Sequence, residues 1–483
     1  MLSLIQNDWL KLFYLITSVF VVILVVQQRG DPLKTVAWLM VIVFLPVVGV
    51  VIYFFVGKNY RKEKIFSRKE LSDSKQLKLL TQYQPTITTE ISRWTSEMPE
   101  DKKPIMRMLY NSEKVLLTEY NRIKILFNGK ETFSSIIEAL EQATDHIHLE
   151  YYIIEDDRIG NTVREILIRK AQSNVEVRVI YDDIGCWSLS KNYIRSLKNA
   201  GVNIFPFMPV RLPFLTRKIN HRNHRKIIVV DGKVGFVGGL NIADRYISGN
   251  EEVGPWRDTH LRIEGEAVYS LQSIFLLDWF FVSRRNIHHH DKYFPPCSRT
   301  ERHLMQIVAS GPDSDWSSIM QTYFLAIATA KSTIYISTPY FLPNESILTA
   351  ICSASLSGVD VRLLLPKRSD SKLVMWGSYS YIGELLDAGV KVYLYEKGFP
   401  HSKLMIIDDV FCSVGTANMD IRSFDQNFEV NALIYDQRIA VAMRNIFMND
   451  IKGLKNIQSE EWMQRSGWVE FRESVARLFT PLL

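Results

Sequence analysis

The sequence predicts an α/β protein of two similar halves behind an N-terminal transmembrane helical hairpin. Two long apolar runs near the N-terminus indicate the hairpin. Short apolar runs then alternate with stretches of helical spacing, a pattern typical of a sheet flanked by helices. Several of these segments recur 184 to 188 positions later in the chain, which indicates that the second half repeats the first.

The two apolar runs have lengths that suit membrane-spanning helices. The first covers residues 12–26, or 9–27 if it extends across Lys11, and the second covers residues 36–56 without a charge. A membrane-spanning helix needs about 20 apolar residues. A secretory signal peptide is the alternative, but no small-residue cleavage site precedes the second run. We therefore expect a transmembrane hairpin over residues 1–57.

A cluster of cations after the second run sets the predicted orientation. Excess positive charge beside a span favours the cytoplasmic side, and such cations also attract anionic lipid headgroups. We expect a basic and polar linker over residues 58–104, a first half over residues 105–300 and a second over residues 301–483, all in the cytoplasm. The cations are Lys58, Arg61, Lys62, Lys64, Arg68 and Lys69.

The composition argues against a disulfide-stapled or zinc-binding protein. The 483 residues are 47% hydrophobic and 23% charged, with a net charge of +6, which is ordinary for a folded chain. The four cysteines are scattered and form no C-x-x-C pair. We therefore expect reduced cysteines in the core.

Strand and helix patterns recur in the same order in both halves. Residues 147–154 and 175–180 have the pattern of buried strands around a helical stretch at residues 162–173, which is a βαβ unit. Residues 334–341 and 361–365 repeat the two strands in the second half. This duplication predicts a chemical site shared between the halves.

The repeat is strongest at a histidine motif, H-x-K-x4-D, that occurs once in each half. A single copy is a weak signal. However, glycine and asparagine also follow both histidines by 14 and 17 positions, which chance does not plausibly provide. The duplicated set consists of His224, Lys226, Asp231, Gly238 and Asn241, and of His401, Lys403, Asp408, Gly415 and Asn418.

This set of side chains suits a phosphodiester substrate. Histidine and lysine two positions apart on a strand point to the same face. Two lysines neutralise phosphoryl oxygens, and two asparagines donate hydrogen bonds to charge that develops in the transition state. One histidine can attack phosphorus while the other protonates the departing alcohol. This chemistry requires no metal and no cofactor.

The paired motifs resemble those of the phospholipase D superfamily, and nearly the whole chain is similar to the bacterial cardiolipin synthases within it. The resemblance implies a duplicated phospholipase D-like α-β-α sandwich, with one active site between the halves and a multi-pass location in the bacterial cell membrane. The segments that carry the narrower resemblance are residues 29–57, 256–260, 338–341, 422–424, 427–429 and 481–483.

The resemblance also implies the reaction. One phosphatidylglycerol gives its phosphatidyl group to another through a phosphohistidine, which yields cardiolipin and glycerol. His224 and His401 are then the nucleophile and the acid/base pair, with His224 favoured as nucleophile, and Asp231 and Asp408 complete the catalytic motifs in a supporting role. The implied phosphate-binding residues are Lys226, Lys403, Asn241 and Asn418.

Each histidine also needs a carboxylate to fix its tautomer. Equal spacing nominates Glu252 and Glu429, since each follows an asparagine by two positions. Asp258 competes with Glu252, because it opens an alternating strand much as Glu429 does. We expect Asp258 and Glu429 in this role, with Glu252 as the alternative.

The expected partners are phosphatidylglycerol and anionic membrane lipid, and the sequence gives no oligomeric state. Basic residues before the first motif suit an anionic headgroup; they are Arg217, Lys218, Arg222 and Arg225. A nucleic-acid site is disfavoured by the two membrane segments and by the lack of evident aromatic stacking platforms. The alternative functions are a membrane phospholipase D that uses water as acceptor, and an inactive lipid-binding scaffold.

Overall fold

The computed structural model describes residues 19, 22–23, 32–45, 49, 53, 98–210, 220–285, 290–297 and 301–479. The first predicted span and the basic cluster at residues 58–69 lie almost entirely outside these ranges, as do Arg217 and Lys218. The chain divides into an N-terminal unit that ends at Arg68 and a larger unit that begins at Lys69.

The N-terminal unit contains helix α1 (Pro32–Phe44), which falls within the second predicted span and the turn before it. Tyr53 and Ile42 are buried in this unit, beside Trp38 and Leu39. Among the helices of the described ranges, none is both long and apolar enough to cross a bilayer.

The larger unit contains two seven-stranded mixed sheets, one in each half. The strands of the first half are β1 (Asn121–Phe127), β2 (His146–Tyr151), β3 (Glu176–Asp182), β4 (Asn203–Phe207), β5 (Ile227–Val230), β6 (Val234–Gly238), β7 (Trp256–Arg257) and β8 (Thr259–Gly265). Those of the second half are β9 (Met305–Ser310), β10 (Thr333–Ser337), β11 (Phe341–Leu342), β12 (Asp360–Pro366), β13 (Lys391–Tyr395), β14 (Phe399–Pro400), β15 (Leu404–Ile407), β16 (Phe411–Gly415), β17 (Met419–Asp420) and β18 (Glu429–Ile434).

Helices cover these sheets, in keeping with the predicted alternation. They are α2 (Lys103–Glu113), α3 (Asn128–Gln142), α4 (Arg158–Gln172), α5 (Lys191–Asn199), α6 (Arg245–Ser248), α7 (Ala267–Ser283), α8 (Ser318–Ala328), α9 (Glu345–Leu356), α10 (Lys372–Tyr379), α11 (Ile382–Asp387), α12 (Ile421–Asp425), α13 (Gln437–Ile451), α14 (Ser459–Met463) and α15 (Gly467–Leu478), with 3₁₀ turns at Glu100–Lys102 and His290–Tyr293.

The two sheets have the same topology. The first has the order β1-β8-β6-β5-β2-β3-β4, and the second has the order β9-β18-β16-β15-β10-β12-β13. In each sheet the last three strands are parallel and the remaining pairs are antiparallel. The predicted mixed α/β fold with two similar halves is therefore confirmed.

Strand burial accounts for the mostly apolar sequences of the central strands, in which Glu150 and Glu429 are the buried acidic residues. Every residue of β2, β5, β15 and β18 is buried, because helices and the other half cover both faces. Apolar side chains of β5, β6 and β8 pack with those of β9, β15, β16 and β18 in one core cluster. The halves therefore share a hydrophobic core and form a single body.

Two short backbone pairings also tie the halves together beside the histidine motifs. Strand β7 pairs in parallel with β14, so that Arg257 lies opposite Pro400. Asn223 forms the equivalent parallel bridge with Phe428. In each pairing, one partner directly precedes a motif histidine in the chain. The other partner directly precedes an acidic residue of the other half.

Candidate active site

Both motif histidines line one cavity of about 480 Å³ between the halves. This volume is within the usual range for small-molecule sites, which is roughly 300–1,000 Å³. Asn241 and Asn418 also line it. The structure thus brings the duplicated motifs to a common surface, where one phosphate group could contact residues of both halves.

His224 is held by a carboxylate of the second half. Its Nδ1 lies 2.9 and 3.0 Å from the two carboxylate oxygens of Glu429. Glu429 is fully buried and also accepts hydrogen bonds from Thr416 Oγ1 at 2.5 Å and Asn427 Nδ2 at 3.3 Å. The Glu429 bond favours a proton on Nδ1, so that Nε2 carries the free lone pair.

His401 is held in the same way by a carboxylate of the first half. Its Nδ1 lies 2.8 Å from Asp258 Oδ2. The Nζ of Lys403 lies 2.9 Å from His401 Nε2 and donates to the His401 carbonyl at 2.8 Å. Each histidine is therefore oriented by the half that does not contain it.

The backbone accounts for this exchange of carboxylates. The N–H of His224 donates to the Phe428 carbonyl at 2.9 Å, and the N–H of His401 donates to the Arg257 carbonyl at 2.7 Å. In both cases the acceptor immediately precedes the carboxylate in the chain. These backbone bonds place each histidine next to its partner carboxylate.

The electrostatic environments of the two pairs differ. Burial opposes ionisation of Glu429, but His224, Lys226 and Thr416 outweigh it and lower the pKa of Glu429. Burial raises the pKa of Asp258 to about 7 against the opposing effect of Lys403. Glu429 is therefore the stronger anion of the two at neutral pH.

Burial also keeps both histidines neutral at neutral pH. It lowers the pKa of His224 to about 4, although Glu429 opposes the shift. Burial and the neighbouring Lys403 lower the pKa of His401 well below its ordinary value. A neutral imidazole with a free Nε2 is the form that can attack phosphorus.

The two motif lysines lie beneath the cavity and have perturbed pKa values. Lys226 is fully buried and donates to the His224 carbonyl at 2.7 Å. Burial lowers the pKa of Lys226 to about 7 and that of Lys403 to about 8, although Glu429 and Asp258 oppose these shifts. An anionic phosphate in the cavity would favour the charged form of both lysines.

The two asparagines present amide groups to the same cavity. Asn241 accepts from the N–H of Ile153 at 3.2 Å and donates to the Tyr246 hydroxyl at 2.6 Å. In Asn418 the amide oxygen is buried without a hydrogen-bond partner within the described part of the chain. Both side chains are placed to meet a ligand.

Asp231 and Asp408, which were predicted to complete the motifs in a supporting role, do not line the cavity. Asp231 accepts the backbone N–H groups of Thr144, Asp145 and His146 at 2.8–2.9 Å. Asp408 does the same for residues 331–333. Both lie at the far ends of β5 and β15 in the left-handed region, with φ of 52° and 54°. Their role is to anchor the turn before the neighbouring strand.

Glu252, the alternative orienting residue, is exposed on the turn between Asn250 and Gly254. Asp258 instead occupies the position that matches Glu429, since both lie beside the short pairing that joins the halves. Equal spacing was a misleading guide because the first half contains extra residues after Asn250.

Two of the basic residues predicted to receive a headgroup are engaged within the protein. Arg222 forms an ion pair with Asp182 at 3.2 Å and lines the cavity. Arg225 is buried, forms an ion pair with Asp278, and lies against the ring of Phe428. Arg225 is thus a core residue and not a surface attractor.

Sequence reasoning assigned no role to Thr416 or Tyr246. Thr416 supports Glu429, and Tyr246 supports Asn241 while it lines the cavity. Thr416 directly follows the repeated glycine Gly415, so its place beside the motif was the available signal.

Comparisons with known proteins agree with this architecture. The family model "Cardiolipin synthase, PLD-like domain" matches residues 136–279 and 323–451, which together exceed half of the chain. A model of the phospholipase D-nuclease N-terminal region matches residues 15–58.

Full-length relatives and one solved structure extend the comparison. The chain is 44% identical to a cardiolipin synthase of Geobacillus kaustophilus over 100% of this chain and 97% of that protein. It is 39% identical to the major cardiolipin synthase of Bacillus subtilis over 99% and 100%. A crystal structure of phosphatidylserine synthase from Haemophilus influenzae shares the fold, with a TM-score of 0.60, 16% identity, and coverage of 79% of this chain and 100% of that one. The chain therefore belongs to the family of cardiolipin synthases with phospholipase D-like domains.

Proposed function

We propose that this protein transfers a phosphatidyl group from one phosphatidylglycerol to another and so makes cardiolipin and glycerol. The observation that carries the proposal is the single cavity lined by His224 and His401, each oriented by a carboxylate of the opposite half. The printed names of the full-length relatives support the same reaction.

In the first step, Nε2 of His224 attacks the phosphorus of the donor lipid. A P–N bond forms and the bond from phosphorus to the glycerol headgroup oxygen breaks. His401, which takes up a proton at Nε2 when the anionic phosphate enters the cavity, gives that proton to the departing glycerol and regains one in the second step. Glu429 stabilises the positive charge that develops on the His224 ring, which favours His224 over His401 as nucleophile.

In the second step, the headgroup hydroxyl of another phosphatidylglycerol enters the cavity. His401 removes its proton, its oxygen attacks phosphorus, and the P–N bond breaks to release neutral His224. Lys226 and Lys403 neutralise the phosphoryl oxygens through both steps, and Asn241 and Asn418 donate hydrogen bonds to them. The atoms and charges balance without another reactant.

The proposed setting of this reaction is the cytoplasmic face of the bacterial cell membrane. Two apolar runs over residues 9–27 and 36–56 support a multi-pass anchor. The cations that follow at residues 58–69 support a cytoplasmic catalytic unit. An anchor of this kind would keep the cavity within reach of lipid headgroups.

The reaction is tested with purified full-length protein and phosphatidylglycerol vesicles, followed by lipid and glycerol analysis. We expect diphosphatidyl product and free glycerol in equal amounts, with loss of both in His224→Ala and His401→Ala. Phosphatidic acid as the main product would instead favour a hydrolase. Turnover that survives both substitutions would refute the proposed chemistry.

A further inference from the structure

Three arginines line the cavity, and two of them have a carboxylate partner among the residues that the structure describes. Arg222 pairs with Asp182 at 3.2 Å, and Arg245 pairs with Glu155 at 2.5 Å. Arg422 forms no ion pair with any residue in the described ranges, and its Nε donates to Asn427 Oδ1 at 3.5 Å. Arg422 is thus a cation with donors available to a ligand of the cavity.

The internal repeat explains why Arg422 has no counter-ion within the described part of the chain. Arg245 and Arg422 are equivalent, because each lies four positions after a motif asparagine. The parallel pairings of Ile154 with Ile242 and of Phe341 with Met419 are also equivalent.

The residue after Ile154 is Glu155, whereas the residue after Phe341 is Leu342. The second half therefore has leucine at the position from which the first half supplies the carboxylate that neutralises its arginine. Leu342 lines the cavity as well. The first half shows that a carboxylate fits beside this arginine, but the second half has an apolar residue there. The arginine is therefore suited to bind an anion from outside the protein.

Arg422 lies on the same side of the cavity as the proposed nucleophile. Its partner Asn427 donates to Glu429 Oε1 at 3.3 Å, and Glu429 contacts His224. Arg422 is also partly exposed, unlike the buried Lys226 and Lys403. An anion bound to Arg422 would therefore lie at the edge of the reaction centre rather than on the reacting phosphorus.

The proposed reaction requires such a second anion site. The acceptor phosphatidylglycerol attacks through a headgroup hydroxyl, while its own phosphodiester remains intact three carbons away. This negative charge must approach a donor phosphate that is already negative, and the two lysines serve that donor phosphate. Without a further cation, repulsion between the two phosphates would oppose binding of the acceptor.

We propose that Arg422 binds the phosphodiester of the acceptor lipid and so selects an anionic lipid alcohol over water or a neutral alcohol. This inference rests on the proposed transferase function. Arg422 acts in the second step alone, because the motif lysines and asparagines bind the donor phosphate.

The test compares two acceptors with one donor. Vesicles of phosphatidylglycerol diluted in phosphatidylcholine are incubated with the full-length enzyme and labelled glycerol. Cardiolipin formation reports the anionic acceptor, and label that enters phosphatidylglycerol reports a neutral acceptor on the same phosphohistidine. The ratio of the two rates isolates the second step.

In Arg422→Gln we expect cardiolipin formation to fall roughly ten- to one hundred-fold, the effect of losing a charge-assisted hydrogen bond. Labelled glycerol incorporation should change by less than about twofold, which also shows that the variant is folded. Arg422→Lys should recover part of the loss, because it keeps the charge but not the two-pronged geometry.

Arg195→Gln is the matched control, because it removes the same charge from an exposed position on α5. It should leave the ratio unchanged even if weaker attraction to anionic vesicles lowers both rates. Equal losses of both activities in Arg422→Gln, or no loss of either, would overturn the assignment. A wild-type enzyme that incorporates labelled glycerol but forms no cardiolipin would instead refute the proposed cardiolipin synthesis itself.

Discussion

The replacement Glu429→Gln tests the orientation of the proposed nucleophile across the two halves. The Gln side chain has nearly the same shape and can still accept from Thr416, but it carries no charge. Nδ1 of His224 lies 2.9 Å from the nearer carboxylate oxygen. Attack on phosphorus places a positive charge on this ring, so the loss of the anion should raise the barrier for the first step.

The distance between the His224 ring and the Glu429 carboxylate determines the size of the expected rate loss. Unit charges about 3 Å apart attract by roughly 5–6 kcal/mol at an effective dielectric constant of about 20. Each 1.36 kcal/mol in the barrier corresponds to about tenfold in rate. Since the Gln oxygen can keep part of the interaction, we expect single-turnover glycerol release to slow by roughly 10³-fold.

The assay is release of labelled glycerol from phosphatidylglycerol in a single turnover, with thermal unfolding as a check on folding. Glu252→Gln is the matched control, because this residue has the same spacing from an asparagine but is exposed. The control should release glycerol at the wild-type rate. A loss of less than about tenfold in folded Glu429→Gln, or an equal loss in the control, would refute the reasoning.

Three further predictions concern the lysines, a turn anchor and a glycine. Because the pKa of Lys226 is lowered to about 7 and that of Lys403 to about 8, kcat/KM should fall as pH rises through this range and the lysines lose their protons; a flat profile up to pH 10 would contradict this. Asp408→Asn should destabilise the fold by about 1–3 kcal/mol in denaturant unfolding, because it weakens three hydrogen bonds that Asp408 accepts from backbone N–H groups, while the turnover of the folded fraction stays within about threefold. Gly239→Ala would place a Cβ 2.4 Å from Asp258 Oδ2 and should reduce turnover by displacing that carboxylate, whereas full activity would show that the site tolerates the shift.

The fold could be predicted from the period of the apolar residues and from the internal repeat. Each strand pattern is a property of a short segment and does not depend on distant contacts. The strand patterns at residues 147–154 and 334–341 have the short period of buried strands, and the structure has β2 and β10 there. Both motif histidines line one cavity, since a duplicated fold brings equivalent strand ends to equivalent places.

The sequence could not predict which carboxylate serves which histidine. That pairing depends on the bridges of Asn223 with Phe428 and of β7 with β14, which join residues about 140 to 205 positions apart. The extra residues between Asn250 and Asp258 also broke the equal spacing that favoured Glu252.

The motif alone could not show what Asp231 and Asp408 support, because it gives only their distance along the chain from the histidine. Four residues of strand separate each aspartate from its lysine, so the two ends of the motif lie at opposite ends of β5 or β15. The spacing along the chain therefore identifies the motif, but it does not show which of its residues act chemically and which act structurally.

The central claim is that two halves share one phosphate, and the stoichiometry of the covalent intermediate tests it most directly. Enzyme mixed with phosphatidylglycerol labelled at phosphorus is quenched in alkaline denaturant, and the label is counted and mapped by peptide. We expect at most one phosphatidyl group per chain, on the peptide that contains His224, and none in His224→Ala. Two groups per chain, or label that persists on the peptide of His401 when His224 is absent, would contradict it.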